Sequence, residues 1–289
     1  MEELLFGTAG IPRSVIPSST TKGIERIAEL GLGCMELEFV KGVYLSPKSA
    51  LAVAQLAGDR HVTLTAHAPY YVNLNAHEPE KIEASRERIL RTARIAALCG
   101  AVSIVFHAAF YLGDSPSNVH NQVKMQLQQI TSQLRSENNR IWVRPEVTGK
   151  VSQYGTLEEL LELSTEVSGV APCIDFAHWH ARTGAFNSYD EFMAVLKQIE
   201  SKLGRQALDD MHIHVSGIAY GKHGEIKHLN MEESDFNYID FIRALNDCKV
   251  KGLVICESPN LEDDAQLLQR TYKAVSNNQA NSSGIDTTQ

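Results

Sequence analysis

The 289-residue chain is 43% hydrophobic and 21% charged, with a formal net charge of −8, which suits one large globular α/β domain. The negative balance argues against a generic nucleic-acid binder with a basic footprint, although carboxylates that bind divalent ions would cancel part of it. No apolar run reaches ~18 residues, so no membrane span is predicted, and the N-terminal MEELLFGTAG lacks the basic region and long apolar stretch of a secretory signal.

Short apolar runs alternate with longer amphipathic segments along the chain. Strands are predicted at Leu4–Gly7, Gly33–Phe39, Val62–Ala66, Ser103–Phe106, Ile141–Pro145, Ala171–Ile174, Met211–His214 and Gly252–Cys256. Their Val, Ile, Leu and Phe content suits a parallel sheet buried on both faces. PEKIEASRERILRTARIAALCG reads as a helix with Pro79 in its first turn and Gly100 closing it. TLEELLELSTEVSG begins with Thr156 as N-cap and Glu159 three residues on, a capping box, and stops at Gly169. SYDEFMAVLKQIESKLG and the segment after Ser234 behave similarly.

Eight such units favour a single closed (β/α)8 TIM barrel over an open doubly wound sheet. The barrel is expected over residues 1–276, with the polar stretch 277–289 as a disordered tail. No GxGxxG follows the first strand and no GxxxxGK[ST] occurs, so nucleotide cradles of those types are not supported. Cys34, Cys99, Cys173, Cys248 and Cys256 are odd in number, scattered and free of CxxC, the pattern of reduced thiols in a cytoplasmic protein.

The informative residues stand where strands end. They are His67 in VTLTAHAPY, His107 in VSIVFHAAF, Glu146 in IWVRPEVTG, Asp175 and His178 in APCIDFAH, and Glu257 in GLVICESP. MHIHVSG puts His212 and His214 on one face of a strand, because side chains alternate. The charged stretch GKHGEIKHLNMEES, read as a loop, adds Glu225 and His228. Taken singly these residues have ordinary explanations: Glu146 could pair with Arg144, Asp175 could cap the next helix, and a charged loop is usually solvated. Taken together they converge, because the C-terminal strand ends of such a barrel share one face. Mixed His and carboxylate donors without Cys suit Zn²⁺, with Mn²⁺ and Fe²⁺ as competitors. The donors are too many for one ion, and two or three bridged ions are the hardware of phosphoester hydrolysis.

The ordered set H-A-P-Y-x-x-N-L, a strand-end His, P-E-x-T-G, C-I-D-x-x-H, M-H, a loop His and E-S-P resembles the endonuclease IV family, over nearly the whole chain from about Leu4 to about Tyr272. Those enzymes are apurinic/apyrimidinic endonucleases with a xylose-isomerase-like TIM barrel. The resemblance implies a trinuclear zinc site, with His67 and His107 on the first ion and Glu146 bridging to the second. Asp175, His212 and Glu257 would complete the second, with His214 kept as the alternative to His212, and His178 and His228 would bind the third. Tyr70 matches a family tyrosine that lies at the abasic site. The family's Asp-Arg-His reads Ile226-Lys227-His228 here, so Glu225 is expected to replace the missing aspartate. The implied activity is hydrolysis of the phosphodiester 5′ to abasic sites in duplex DNA, by a monomer, in base excision repair, with Glu146 and Glu257 central to the chemistry. The rival expectation is a sugar isomerase or epimerase on the same barrel. It would hold one divalent ion through Glu146, Asp175, Glu257 and either His212 or His214. A third is a barrel that binds metal or DNA without turnover.

Overall fold

The computed structural model describes residues 1–283. Eight parallel strands alternate with helices: β1 (Leu4–Ala9), β2 (Cys34–Glu38), β3 (Thr63–His67), β4 (Ser103–Phe106), β5 (Trp142–Pro145), β6 (Cys173–Asp175), β7 (Met211–Val215) and β8 (Gly252–Cys256). All eight expected strands are present, within two residues at either end. In space they run β5-β4-β3-β2-β1-β8-β7-β6. The ring closes between β5 and β6 through bridges at Val143–Val170 and Glu146–Cys173, where Val147 N donates to Cys173 O at 3.0 Å. The result is the expected (β/α)8 barrel.

Residues alternate across each strand, and this separates two environments. Met35 and Leu37 of β2 join the large core under the helices, with Phe106, Ile213 and Val254. Cys34, Leu253 and Ile255 form a separate small apolar cluster with Leu5 and Ala9. Glu36, Thr65, Ser103, His212 and His214 are buried beside it, so part of this interior is polar.

The helices carry the stop and start signals read from the sequence. Pro79–Leu98 has Pro in its first turn. Leu157–Glu166 has the capping box, with Glu159 N donating to Thr156 Oγ1 at 3.2 Å and Thr156 N to Glu159 Oε2 at 2.9 Å. The last helix, Glu262–Ser283, runs past the expected boundary at residue 277, and residues 284–289 of the expected tail lie outside the described residues.

One segment departs from expectation. GKHGEIKHL is not a solvated loop but part of an antiparallel ribbon, Gly217–Gly221 against Gly224–Leu229. A two-residue turn at Lys222-His223, closed by Gly224 at φ 89°, accounts for it. The ribbon leans on the loop after β5, where Glu225 N donates to Gly149 O at 2.9 Å. A shorter ribbon pairs Ala109–Phe110 with Gln153–Tyr154. All five cysteines are free, and among the described residues no helix is long and apolar enough to cross a membrane.

Candidate metal centre

The C-terminal ends of β3 to β8 deliver the expected side chains to one mouth. β3 ends on His67, β6 on Asp175, and Glu146 and Glu257 follow β5 and β8 by one residue. Asp175 also caps the next helix, its Oδ1 accepting from His178 N at 2.7 Å, which locks His178 one turn above it. His228 and Glu225 arrive from the ribbon. A cavity of about 290 Å³ is lined by His67, Tyr70, His107, Glu146, His178, Glu225, His228 and Glu257 among others. Among the described residues, Lys150 is the only Lys or Arg lining it.

Three adjoining donor groups share residues, each with its ligand atoms within 4.8 Å of one another: His67-His107-Glu146, Glu146-Asp175-His178-Glu257, and His178-Glu225-His228. Glu146 Oε2 lies 3.2 Å from His67 Nε2 and 3.1 Å from His107 Nε2. His214 Nδ1 lies 3.5 Å from Glu146 Oε1 and 3.4 Å from Glu257 Oε1. In the third group His178 Nε2 is 3.2 Å from His228 Nε2 and 3.6 Å from Glu225 Oε2, and His228 Nε2 is 3.9 Å from Glu225 Oε1. Several of these separations are long for hydrogen bonds. They match the about 3.4 Å between neighbouring donors on one tetrahedral ion with bonds of about 2.1 Å.

The hydrogen bonds beneath the donors leave lone pairs facing the mouth. His67 Nδ1 donates to Ala68 O at 2.7 Å and His228 Nδ1 to Glu257 O at 3.2 Å. His178 Nδ1 meets Val147 O at 3.2 Å, Glu146 Oε1 at 3.1 Å and Asp175 Oδ2 at 3.0 Å, all of them acceptors. A carbonyl can only accept, so in the neutral ring each Nε2 is an acceptor. The His178 and His228 Nε2 atoms then face each other as two acceptors, a contact that needs a cation or a proton between them. Glu146 Oε1, Asp175 Oδ2, Glu257 Oε2 and His214 Nδ1 are buried without a hydrogen-bond partner. Orphaned buried acceptors on this scale are costly, and a divalent cation would satisfy them together. The donor set therefore fits metal ions.

With no ion, protons balance the charge. Burial alone would raise the Glu146 pKa, but the charges of His107 and His214, with hydrogen bonds from His107 and His178, hold it well below the carboxylate range. Burial opposes protonation of His67, yet its bond to Glu146 and the charge of Glu38 raise it to about 10. Against burial, Asp175 and Glu146 hold His178 well above its ordinary value, as neighbouring acidic groups do for His214. Burial lifts Asp175 to about 6, with His178 pulling the other way.

Of the expected ligands, nine meet here: His67, His107, Glu146, Asp175, His178, His214, Glu225, His228 and Glu257. His212 does not. Its Nε2 is 3.1 Å from Glu36 Oε2 and its Nδ1 2.9 Å from Ser103 Oγ, and burial lowers its pKa to about 4. His214 is the member of the pair whose ring nitrogen faces Glu146 and Glu257. Tyr70 stands on the rim, half exposed, edge-on to His67 at 5.5 Å between ring centres. His180 turns away, to Ala185 O and Asp235. Arg144 does not pair with Glu146; it binds Asp210 and Pro172 O.

Sequence reasoning missed Glu36 and Glu38. Glu36 is fully buried, with Oε1 2.9 Å from His214 Nε2 and Oε2 accepting from Thr65 Oγ1 at 2.6 Å. Glu38 keeps a buried, unpartnered Oε1, and burial raises its pKa to about 8. The signal was present: two acids two residues apart, on one face of an otherwise apolar strand.

Residues 24–275 match the family model described as xylose isomerase-like TIM barrel. The chain is 46% identical to the uncharacterized protein MJ0133 of Methanocaldococcus jannaschii, covering 94% of this chain and 98% of that one. It is 28% identical to a probable endonuclease 4 of Geobacillus sp., over 72% of this chain and 66% of that protein. Two solved structures share the fold at 20% identity. A D-tagatose 3-epimerase-like protein has a TM-score of 0.74, with 96% of this chain and 99% of that one covered. Endonuclease IV from Thermus thermophilus has 0.72, with 93% and 98% covered.

Proposed function

The chain belongs to the xylose isomerase-like TIM barrel family, and from that premise we propose that it is a metal-dependent, endonuclease IV-like phosphodiesterase. It cuts duplex DNA 5′ to abasic sites, in base excision repair, with two or three divalent ions in the mouth. Zinc suits the mixed His and carboxylate donors, ahead of manganese or iron.

The observation that carries this reading is the size of the donor set. One ion needs no more than Glu146, Asp175, His214 and Glu257. Here His67 and His107 group with Glu146 of that quartet, and His178 groups both with Glu146, Asp175 and Glu257 and with Glu225 and His228. The similarity to a probable endonuclease 4 supports the same reading. When bound, clustered ions supply the Lewis acidity that activates water and stabilises phosphate and leaving oxygens.

The chain's own residues do the rest. Glu146 joins neighbouring groups and balances their charge. Glu257 faces the cavity and orients the attacking water. Glu225 stands in for an aspartate through its longer side chain. Tyr70 offers an aromatic face at the rim to the exposed deoxyribose, and Lys150 a cation to a flanking phosphate. The protein acts as a cytoplasmic monomer.

A second reading is a sugar epimerase with one ion on the quartet. The observation favouring it is the small cavity with a single lining Lys, which suits a small polyol as well as a DNA backbone. The deciding experiment uses a duplex with one tetrahydrofuran abasic analogue, which cannot undergo β-elimination, and metal analysis of the same sample. Incision 5′ to the analogue, lost on chelation, with two or three zinc ions per chain supports the endonuclease. No incision with about one ion per chain shifts the reading to epimerisation.

A further inference from the structure

His67 and His228 are each held from behind by a main-chain carbonyl at Nδ1, which leaves Nε2 for the mouth; His178 Nδ1 meets Val147 O too, but lies nearer to Asp175 and Glu146. His214 is mounted the other way round. Its Nδ1 faces Glu146 and Glu257, and the atom behind it is not a carbonyl but Oε1 of Glu36, 2.9 Å from Nε2, an ion-pair contact off ideal hydrogen-bond geometry between two buried atoms without another hydrogen-bond partner. Glu36 is fully buried and sits in a network of its own. Its Oε2 accepts from Thr65 Oγ1 at 2.6 Å and meets His212 Nε2 at 3.1 Å, and His212 Nδ1 in turn meets Ser103 Oγ at 2.9 Å.

We propose that Glu36 is a positioning residue for the metal centre: it holds the proton of His214 on Nε2, so that the Nδ1 lone pair points between Glu146 and Glu257. A carboxylate can only accept, which fixes the tautomer. Carboxylates behind metal-bound histidines do the same elsewhere: they orient the ring and raise its basicity. The remaining contacts explain how Glu36 stays in place. Thr65 Oγ1 hydrogen-bonds Oε2 and His212 Nε2 lies beside it at 3.1 Å, so Oε1 cannot swing away from His214 without stranding a buried charge. His212 thereby acquires a role as the outer member of a His212–Glu36–His214 chain rather than as a ligand.

This assignment rests on the metal-binding part of the reading above and not on the substrate. The test therefore reads metal, not incision. Zinc content and affinity are measured by chelator competition on the wild type, Glu36→Gln and Thr65→Val. Glu36→Gln leaves one acceptor oxygen for three donors and should weaken one ion by ~10–100-fold, leaving the other ions unchanged. Thr65→Val removes a donor to the same carboxylate without touching His214 and should change affinity by less than about threefold. A merely structural Glu36 would lower the melting temperature in both variants and leave zinc affinity alone, which overturns the assignment. If Glu36→Gln does not fold, ¹⁵N spectra of the His214 ring in zinc-loaded wild type decide: a proton on Nε2 supports it and a proton on Nδ1 overturns it. A wild type that binds no zinc removes the metal reading and this assignment together. A zinc-binding wild type matched by Glu36→Gln removes the assignment alone.

Discussion

A Cβ on Gly149 would lie 2.6 Å from the Cβ of Glu225 and 3.0 Å from its Oε2. The same atom would lie 3.0 Å from Cδ2 of His178. The missing side chain at 149 is what lets the ribbon come close enough for Glu225 to join His178 and His228. Gly149→Ala should therefore push Glu225 out, at a local cost of about 1–3 kcal/mol, and remove one metal equivalent while the barrel stays folded. Glu225→Ala should lose the same equivalent without the strain. Metal analysis beside circular dichroism checks both. Full metal content in Glu225→Ala would mean that Glu225 is not a ligand.

This dependence was not legible in the sequence, and the reason is instructive. The eight strands were legible because a buried parallel strand is a short continuous apolar run, and the donors were legible because they interrupt those runs at one end. Glu225 was legible as one charged residue of GKHGEIKHLNMEES, and the resemblance singled it out as the substitute for an absent aspartate. What brings it into place is a ribbon and a neighbouring loop, a tertiary pairing that the local pattern of GKHGEIKHL does not reveal. The sequence left His212 and His214 both open for a related reason. Both sit on one face of β7, and only depth in the barrel separates the one facing Glu146 and Glu257 from the one facing Glu36 and Ser103. The Met211-His212 match to the family pattern pointed to the deeper residue. Glu36 and Glu38 were overlooked because both fall inside the predicted strand Gly33–Phe39, although Glu38 is the last residue of β2 in the structure.

Single substitutions of the two histidines should separate their roles. His214→Ala removes a donor from the mouth and should lower zinc content by one ion and activity by at least about 100-fold, and it also takes a partner from buried Glu36, so some loss of stability accompanies it. His212→Ala keeps the ligands but takes a neutral partner from buried Glu36, and should cost about 1–3 kcal/mol of stability with its zinc content retained. Thermal denaturation and metal analysis on both variants read the difference. The opposite pattern, zinc lost from His212→Ala and kept in His214→Ala, would return His212 to the ligand set.

Glu257 lies one residue past β8, its side chain only 13% exposed, with Oε1 3.4 Å from His214 Nδ1. Glu257→Gln keeps the shape and removes the charge. Incision of the abasic duplex should fall by about 10²–10⁴-fold, with the melting temperature of the metal-free protein within a few degrees of wild type. Retained incision would take Glu257 out of the chemistry.

The proton balance of the metal-free mouth predicts how zinc and pH should act together on stability. His67 rises from its ordinary 6.5 to about 10, chiefly through its bond to Glu146 and the charge of Glu38 working against burial. A raised pKa stabilises the fold fully below the unfolded value, and that stabilisation fades as pH rises from about 6.5 through 10. Glu146 is shifted the other way, well below 4.5, so its contribution is present above about 4.5 and fades on acidification. The metal-free protein should thus lose stability steadily from about pH 6.5 upward. Zinc competes with the same protons, because a ligand histidine must give up its ring proton to bind. Its affinity, and with it the stabilisation of the folded state, should rise over that same range. Melting temperatures measured from about pH 6 to 9, with zinc and with chelator, should therefore diverge as pH rises. A gap that stays constant or narrows would mean that the protons on these histidines and the ions do not share sites.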